Sequence, residues 1–332
     1  MTKKPLIIIS GPTASGKSAL GIRLAGDIGG EIISADSMQV YRHMNIGTAK
    51  VTPDEMNGIA HHMIDICDPK DDFSIAEYKV RAKNCIEDIV SRGKIPVVVG
   101  GTCFYIHALL YDTDFDETES DGSVRKRLER EMDELGALAM HNRLKDIDPD
   151  SAESIHMNNN KRVIRALEFY ELNGYKISEH NRREQEKSSP YNFMYIALNR
   201  DREELYRLID ERVDRMIENG LQDEVRKLCE MGYDSSLVSM QGIGYKEIME
   251  CDNPEDAVER IKLNSRHYAK KQFTWIKHEK DVDWINAPVS EEDYKWIISE
   301  CLKRHITDSV LAARFMNWDV IQKRSLRKDS RG

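Results

Sequence analysis

Short apolar runs alternate with amphipathic patterns along the first hundred residues of the chain. Three apolar runs predict buried strands over residues 6–10, 31–34 and 95–99. Apolar positions three and four residues apart predict helices over 17–28 and 74–92. Because strands that alternate with helices form parallel sheets with right-handed crossovers, we expect such a sheet with helices packed on its faces.

The pattern changes after this first segment. From residue 113 to 190 the periodicity is helical, and no run predicts a strand. Further on, the pattern predicts a strand over 191–198, helices near 201–219, 221–231 and 254–278, and a last strand over 282–285. We therefore expect an α/β core that carries a helical insertion domain. The expected domains are a core of residues 1–112 and 191–305, an insertion of residues 113–190, and a C-terminal tail of residues 306–332, disordered after about residue 320.

Composition narrows the class of protein. The chain has 332 residues, of which 40% are hydrophobic and 32% charged, and this excludes a disordered chain. No apolar run approaches the roughly 20 residues that a membrane helix needs, and the N-terminal apolar stretch is too short for a secretory signal. The six cysteines form no C-x-x-C pair and no zinc-like spacing with histidine, which predicts reduced thiols. We expect a cytoplasmic monomer that does not contact a membrane.

The charges are unevenly distributed. The net charge of −9 argues mildly against a nucleic-acid partner, but residues 260–280 contain seven bases and one acid. Within this segment Lys262, Arg266 and Lys270 are four residues apart and form one stripe of the predicted helix. The stripe is either a solvated face or a nucleic-acid-binding surface. The residues expected to face the core on the same helix are Val258, Ile261, Tyr268 and Trp275.

A glycine-rich segment follows the first predicted strand and opens the first predicted helix. It fits the pattern G-x-x-x-x-G-K-S/T with Gly11, Pro12, Thr13, Ala14, Ser15, Gly16, Lys17 and Ser18. Glycines let backbone N–H groups curl round a phosphate, and the helix N-terminus adds its positive dipole. The lysine neutralises phosphate oxygens, and the Ser18 hydroxyl is suited to Mg²⁺. The segment predicts a P-loop-type site for a di- or triphosphate and leaves open which one.

Two further strand ends carry candidate functional residues at the same edge of the sheet. Asp36 follows the second strand, where ligands bind in open parallel sheets. It either serves chemistry, as a holder of Mg²⁺ through water or as a general base, or it caps a helix. Gly100-Gly101-Thr102 follows the third strand and is either a close approach to a ligand or an ordinary turn. A GTPase is excluded because no N-K-x-D run and no D-x-x-G run after the second strand is present.

Several sequence elements occur in a fixed order along residues 5–285. They read G-P-T-A-S-G-K-S at 11–18, D-S-M-Q-V-Y at 36–41, G-T-A-K at 47–50, H-H-M-I-D at 61–65, G-G-T-x-x-Y at 100–105, R-A-L-E at 165–168, G-I-G-Y at 242–245 and A-K-K-Q-F-T-W at 269–275. Together they make the chain resemble the tRNA dimethylallyltransferase family over most of its length. Individual elements are specific, and their joint occurrence is very specific.

The departures from the family pattern are small. Cys103-Phe104 stands where the family often has Gly-Leu, and Leu208 stands where an arginine is usual in the L-Y-x-R-I helix. Arg207 lies beside that position, and Arg212 is the better match to the arginine of this helix. The chain has no C-terminal zinc finger of the eukaryotic kind, so the resemblance is to the bacterial form.

The resemblance implies an activity. A dimethylallyl group would pass from dimethylallyl diphosphate to N6 of adenosine 37, beside the tRNA anticodon, with release of diphosphate. Asp36 would be the general base, Thr102 would hold the base or the backbone near N6, and Lys17, Arg212 and Mg²⁺ on Ser18 would stabilise the diphosphate held by the 11–18 loop.

The resemblance also implies a tRNA-binding surface around the anticodon stem-loop. The expected contacts are Asp36, Ser37, Met38, Gln39, Thr102, Arg125, Lys161, Arg162, Arg165, Lys262, Arg266 and Lys270. Three alternatives use the same loop differently: a P-loop small-molecule kinase whose lid is the 113–190 segment, a non-catalytic nucleic-acid-binding ATPase, and an enzyme that prenylates free adenine nucleotides. The kinase is the main alternative.

Overall fold

The computed structural model of the protein describes residues 3–114 and 122–307. The chain forms two compact units. The main unit contains residues 3–110 and 190–307, and the helical unit is Tyr111–Ser189. Residues 115–121 and, after residue 307, the predicted C-terminal tail lie outside the described residues.

The main unit contains a six-stranded sheet in which every pair of neighbours is parallel, as predicted. The strands are β1 Lys4–Ser10, β2 Gly30–Ser34, β3 His61–His62, β4 Ile95–Gly100, β5 Tyr191–Asn199 and β6 Val282–Asn286. Their order across the sheet is β3-β2-β4-β1-β5-β6. Because β1 lies between β4 and β5 and β2 is next to β4, the ends of β1, β2 and β4 meet at one edge of the sheet.

The helices are numbered along the whole chain. Those of the main unit are α1 Lys17–Ile28, α2 Ile75–Ser91, α3 Cys103–Leu110, α9 Arg202–Glu218, α10 Leu221–Glu230, α11 Tyr245–Glu250, α12 Pro254–Ile276 and α13 Glu291–Lys303. Those of the helical unit are α4 Ser123–Leu135, α5 Ala137–Ile147, α6 Pro149–Ser154, α7 Asn160–Asn173 and α8 Ile177–Glu186. None of the helices in the described part of the chain is both long and apolar enough to cross a membrane.

Both faces of the sheet are covered by apolar side chains. On one face Ile7 and Ile9 of β1 pack with Leu24 of α1 and Ile297 of α13 in the largest cluster of buried residues. The alternate strand positions, such as Ile8, are buried too, so the strands read as continuous apolar runs. Burial on both faces therefore explains why these strands could be predicted from the sequence.

Some elements were not predicted. β3 has only two residues, which is too short for an apolar pattern, and α3 follows the β4 glycine turn directly. α13 had a readable signal, because Ser290 caps it by accepting from the Asp293 N–H and its buried residues are spaced as on one helix face. Ile306, assigned to the tail, is buried in the main core.

The helical unit has a core of its own. Leu128 and Met132 of α4, Leu144 of α5 and Val163 and Leu167 of α7 form its buried cluster. Four charged side chains on these helices, Arg127, Arg143, Glu131 and Glu171, form a closed ring of ion pairs. No strand occurs among its described residues, which agrees with the helical periodicity of the sequence.

A buried carboxylate anchors the beginning of β2. The Glu31 side chain is 4% exposed and accepts from Arg92 at 2.5 and 2.8 Å, from Lys94 at 2.6 Å and lies 2.7 Å from His62. The bonds from Arg92, followed by those from Lys94 and His62, hold the pKa of Glu31 far below its ordinary value of 4.5. The carboxylate therefore stabilises the fold above pH 4.5, and this contribution is lost as the pH falls below that value.

We predict that Glu31→Gln lowers the free energy of unfolding by about 2–3 kcal/mol at pH 7. Loss of the carboxylate leaves the cations Arg92 and Lys94 without the negative charge that they share. The difference from the unsubstituted protein narrows as the pH is lowered from 7 toward 3. Denaturant unfolding at each pH measures both effects. Glu87→Gln is the control, because the Glu87 pair with Lys4 is exposed and its loss should hardly change stability. Equal effects of the two substitutions would contradict this account.

Candidate active site

The 11–18 segment forms the turn between β1 and α1, as a phosphate-binding loop requires. The N-cap residue Gly16 has φ 95°, in the left-handed region that favours glycine, and α1 begins at Lys17. The Ser15 N–H donates to the Pro12 carbonyl at 3.2 Å, which tightens the loop. The N–H groups in the first turn of α1 have no partner within the helix, so they are available to an anion at this end.

Asp36 lies in a turn just beyond the end of β2. Its Oδ1 accepts from the backbone N–H groups of Met38 at 2.9 Å and Gln39 at 3.3 Å. No described residue donates to Oδ2, and Asp36 lines a cavity of the main unit. The capping and the functional interpretations are therefore compatible, because one oxygen organises the turn while the carboxylate also borders the cavity.

The turn after β4 holds the Asp36 turn in place. The Thr102 hydroxyl accepts from the Ser37 N–H at 3.0 Å, and the Thr102 N–H donates to the Ala35 carbonyl at 3.0 Å. A side chain on Gly100 would lie 2.1 Å from the Ala35 carbonyl oxygen, and one on Gly101 would lie 2.2 Å from Gln272 Nε2. The glycine pair therefore lets the β4 turn lie close to the Ala35 backbone and to the Gln272 side chain. The sequence interpretations were approach to a ligand or an ordinary turn, and neither anticipated this packing within the protein.

A cavity of about 270 Å³ opens next to these turns. Its polar wall includes Thr13, Asp36 and Arg212. Its apolar wall is formed by Met38, Ile209, Val213, Met216, Ile243 and Ile261. A cavity with few convergent polar groups and an otherwise apolar lining is typical of a site for a small ligand that has one charged and one apolar part.

Arg212 lines the cavity, and Lys17 is the first residue of α1, beside the loop. The Arg212 guanidinium makes no hydrogen bond or ion pair with any residue in the described part of the chain, and Lys17 Nζ donates to the Pro12 carbonyl oxygen at 3.2 Å. Burial, and then the charge of Arg212, lower the pKa of Lys17 to about 8, and burial lowers the pKa of Arg212, while Asp36 opposes both shifts. Two cations with a single carboxylate to offset their charge are an arrangement suited to an anion.

The residues after Asp36 have different surroundings. The Ser37 hydroxyl lies 3.3 Å from Thr102 Oγ1, and the Met38 side chain lines the cavity. The Gln39 amide group is engaged within the protein, with Ser34 Oγ at 3.0 Å and the Thr48 carbonyl oxygen at 3.2 Å. Of the predicted contacts in this turn, Asp36, Ser37 and Met38 thus line the cavity, whereas the Gln39 amide is held within the protein.

The basic stripe of α12 is partly neutralised by α9. Lys262 lies 2.7 Å from an oxygen of Asp214, and Arg266 contacts both oxygens of Asp210 at 2.6 and 2.8 Å. Lys270 is exposed and has no ion-pair partner among the described residues. The two closest acids, Asp214 and Asp210, come from another helix, and Glu259, just before residues 260–280 on α12 itself, lies 3.7 Å from Lys262.

The predicted inner face of α12 needs a correction. Ile261 is buried, as expected, and Val258 is partly buried. Tyr268 and Trp275, however, are each 38% exposed. Tyr268 lines the cavity, and Trp275 Nε1 donates to Glu279 at 3.0 Å, so this stretch of α12 borders open space as well as core.

In the helical unit the four predicted tRNA contacts have two kinds of environment. Arg125 lies 3.1 Å and Arg165 lies 3.7 Å from the same oxygen of the buried Glu168. Lys161 and Arg162, at the beginning of α7, are exposed, and their side chains pair with no residue that the structure describes. The last two are the basic side chains here with charge available to a partner.

Two residues with a positioning role escaped the sequence analysis. Gln272 connects the phosphate loop to the β4 turn by accepting from the Thr13 N–H and donating to the Gly101 carbonyl, each at 2.9 Å. Its signal was a polar residue on the buried stripe of a helix. The Glu224 carboxylate accepts from the N–H groups of residues 45–47 and from the Tyr245 hydroxyl, and no sequence pattern indicated these contacts.

A glycine-rich loop between β1 and α1 of a parallel sheet defines the class of the main unit as a P-loop-type α/β protein. The IPP transferase family model matches residues 39–279. The chain is 52% identical to a tRNA dimethylallyltransferase from Lachnoclostridium phytofermentans, over 88% of this chain and 93% of that protein. The chain belongs to the IPP transferase family.

Two solved structures share this fold. The tRNA isopentenylpyrophosphate transferase of Bacillus halodurans is 40% identical with a TM-score of 0.68, and the match covers 92% of this chain and 97% of that one. A eukaryotic dimethylallyltransferase described as acting on tRNA is 32% identical with a TM-score of 0.78, over 91% of this chain and 80% of that one. The likeness thus extends over most of the chain in both sequence and structure.

We predict that Thr102→Val lowers the free energy of unfolding by about 1–2 kcal/mol, because it leaves the Ser37 N–H without its acceptor at nearly unchanged volume. Thr102→Ser keeps the hydroxyl and should lose much less. Urea denaturation of the three proteins measures the difference. A valine variant as stable as the serine variant would show that this hydrogen bond does not hold the Asp36 turn.

Proposed function

We propose that the protein transfers a dimethylallyl group from dimethylallyl diphosphate to N6 of adenosine 37 in tRNA and releases diphosphate. The observation that carries the proposal is the cavity in which Asp36 and Arg212 face an apolar wall beside the phosphate loop. A prenyl diphosphate has the matching parts, since its diphosphate is a polyanion and its five-carbon group is apolar. Membership of the IPP transferase family supports the same assignment.

The loop and the two cations would hold the diphosphate. The N–H groups at the beginning of α1 would donate to it, and Lys17 and Arg212 would pair with its oxygens. The leaving group gains negative charge as its bond to carbon breaks, and preorganised cations in a partly dry site stabilise that charge by about 2–4 kcal/mol for each contact. An anion also relieves the repulsion between the two cations that the site otherwise carries.

Asp36 would accept the proton of the attacking amine. The N6 nitrogen forms a bond to the allylic carbon, the carbon–oxygen bond breaks, and the diphosphate leaves with the electron pair. One N6 proton passes to the Asp36 carboxylate. The amine needs such a base because its conjugation with the purine ring makes it a weak nucleophile. Because Oδ1 is held by Met38 and Gln39, Oδ2 is the oxygen open to this proton. Thr102 would act indirectly, by fixing the turn.

We also propose Mg²⁺ as the cofactor, held by the Ser18 hydroxyl. This hydroxyl makes no hydrogen bond with the residues that the structure describes. Residues 3–114 and 122–307 contain no group of three or more His, Cys, Asp or Glu side chains arranged for a metal. A single hydroxyl suits Mg²⁺, which takes its other ligands from water and phosphate oxygens. When bound, the ion would neutralise diphosphate charge.

Each of the two units carries bases for the proposed contact with tRNA. In the main unit Lys270 is free to contact phosphate, and Lys262 and Arg266 are available if they exchange Asp214 and Asp210 for phosphate. Of the four predicted bases of the helical unit, Lys161 and Arg162 are the two without an ion-pair partner among the described residues. The target adenine must leave the anticodon-loop stack, at a cost of a few kcal/mol that these contacts would offset. Cytoplasmic tRNA is the expected substrate pool.

Incubation with labelled dimethylallyl diphosphate, Mg²⁺ and unmodified tRNA tests the function. We expect label in tRNA and one diphosphate released for each group transferred. Free adenine nucleotides offered instead of tRNA should take up little label. Absence of incorporation together with phosphoryl transfer from ATP would favour the kinase alternative, which the family relationship does not support.

We predict that Asp36→Asn lowers the rate of dimethylallyl transfer by about 10²–10⁴-fold and leaves tRNA affinity nearly unchanged. Asparagine keeps an oxygen that can accept from Met38 and Gln39, but it cannot take a proton. Single-turnover rates and tRNA binding measured on the same preparations separate the two effects. Asp36→Ala, which also removes the cap, is the control for the turn.

One outcome would contradict the role of Asp36 as the general base. If Asp36→Asn transfers the dimethylallyl group at the unsubstituted rate while Asp36→Ala is inactive and less stable, the carboxylate only caps the turn. Thermal unfolding of both variants reports the structural contribution independently of turnover.

We predict that Lys270→Gln lowers the slope of log K against log salt for tRNA binding by up to about one unit, as the loss of one phosphate contact does. Lys262→Gln and Arg266→Gln should change the slope less, because their ion pairs with α9 must first be given up. Binding over a range of salt concentrations measures all three. An unchanged slope in every variant would mean that this face of α12 points into solvent in the complex.

A further inference from the structure

Gln272 is a buried polar side chain at the entrance to the phosphate loop. It is 4% exposed, lies on α12 and is 259 residues from Thr13 in the sequence. Its Oε1 accepts from the Thr13 N–H, and its Nε2 donates to the Gly101 carbonyl, each at 2.9 Å. A donor and an acceptor on opposite sides fix the orientation of the carboxamide.

The carboxamide lies beside Lys17. A Cβ built on Gly101 would be 2.2 Å from Gln272 Nε2 and 3.6 Å from Lys17 Cε, so the amide and the lysine stem border the same small space. The close contact with Gly101 leaves the amide no room on that side.

A bound triphosphate would need more space and more hydrogen-bond donors in this loop than a diphosphate needs. In P-loops the backbone cradles the inner phosphates, and the lysine reaches toward the outer ones. A further phosphoryl group therefore needs room and donors beside the lysine. Here Gln272 occupies space beside Lys17 and takes the Thr13 N–H. A neutral amide also brings no positive charge to offset the additional negative charge.

We infer that Gln272 makes the loop selective for a diphosphate over a triphosphate. The inference rests on the proposed function, because it assumes that the loop binds the diphosphate end of the prenyl donor. It adds a specificity-determining residue whose effect is to keep nucleoside triphosphates, which share the phosphate chemistry of the donor, out of the site. The selectivity comes from closing one end of an otherwise ordinary phosphate loop.

Calorimetric binding of inorganic diphosphate and inorganic triphosphate, each with Mg²⁺, tests the inference. The unsubstituted protein should prefer the diphosphate. Gln272→Ala frees the Thr13 N–H and the space beside Lys17, so the preference should fall at least tenfold. Thr274→Ala is the matched control, since Thr274 is exposed on the same helix and its hydroxyl donates to the Lys270 carbonyl and to no other described residue. It should keep the original preference.

A second variant guards against a folding defect. Gln272→Asn keeps a carboxamide but is shorter by one methylene group, so it cannot reach both Thr13 and Gly101, and its preference should fall in the same direction by a smaller factor. Unchanged preference in both Gln272 variants, with diphosphate still bound, would overturn the inference and leave the proposed function standing. A protein that binds triphosphate as tightly as diphosphate before any substitution would also overturn it. Lack of diphosphate binding and of label incorporation into tRNA would instead remove the proposed function.

Discussion

The arrangement depends on two cations at the edge of a parallel sheet, Lys17 and Arg212, with one carboxylate, Asp36, to offset their charge. Burial and mutual repulsion lower the pKa of Lys17 to about 8, and burial lowers that of Arg212, while Asp36 is the one carboxylate opposing both shifts. Such a site costs folding free energy in the absence of a ligand. A bound polyanion offsets the uncompensated positive charge and so stabilises the folded protein. The site is therefore suited to a departing diphosphate.

The surrounding fold keeps these groups together through backbone contacts. The strand order brings the ends of β1, β2 and β4 to one edge. There Gly100 touches the Ala35 carbonyl, Thr102 binds Ser37, and Gln272 joins the loop to the β4 turn. Each contact needs a particular residue, because a side chain at either glycine, or an apolar residue at Thr102, would separate turns that must lie within hydrogen-bond distance.

Local sequence patterns predicted most strands and the positions of the phosphate loop and Asp36. They did not predict the contacts between segments that are distant in the sequence. The apolar runs of β1, β2, β4 and β5, the beginning of α1 at Lys17 and the position of Asp36 after β2 follow from neighbouring residues. The ion-pair partners Asp214 and Asp210 of Lys262 and Arg266 lie on α9. The hydrogen bond between Thr13 and Gln272 likewise joins residues that are far apart in the sequence. Spacing within one segment carries no information about such pairs, so the basic stripe seemed unbalanced. The family motifs marked the segments that meet, but not the bonds between them.

The location of bound diphosphate tests the central claim most directly. A crystal structure of the protein with inorganic diphosphate and Mg²⁺ should show the anion against the first turn of α1, within hydrogen-bond distance of Lys17 Nζ and of the Arg212 guanidinium. Asp36 should remain at the cavity with one oxygen open. Diphosphate bound away from both cations, or an Arg212 side chain turned out of the cavity in that complex, would contradict the account.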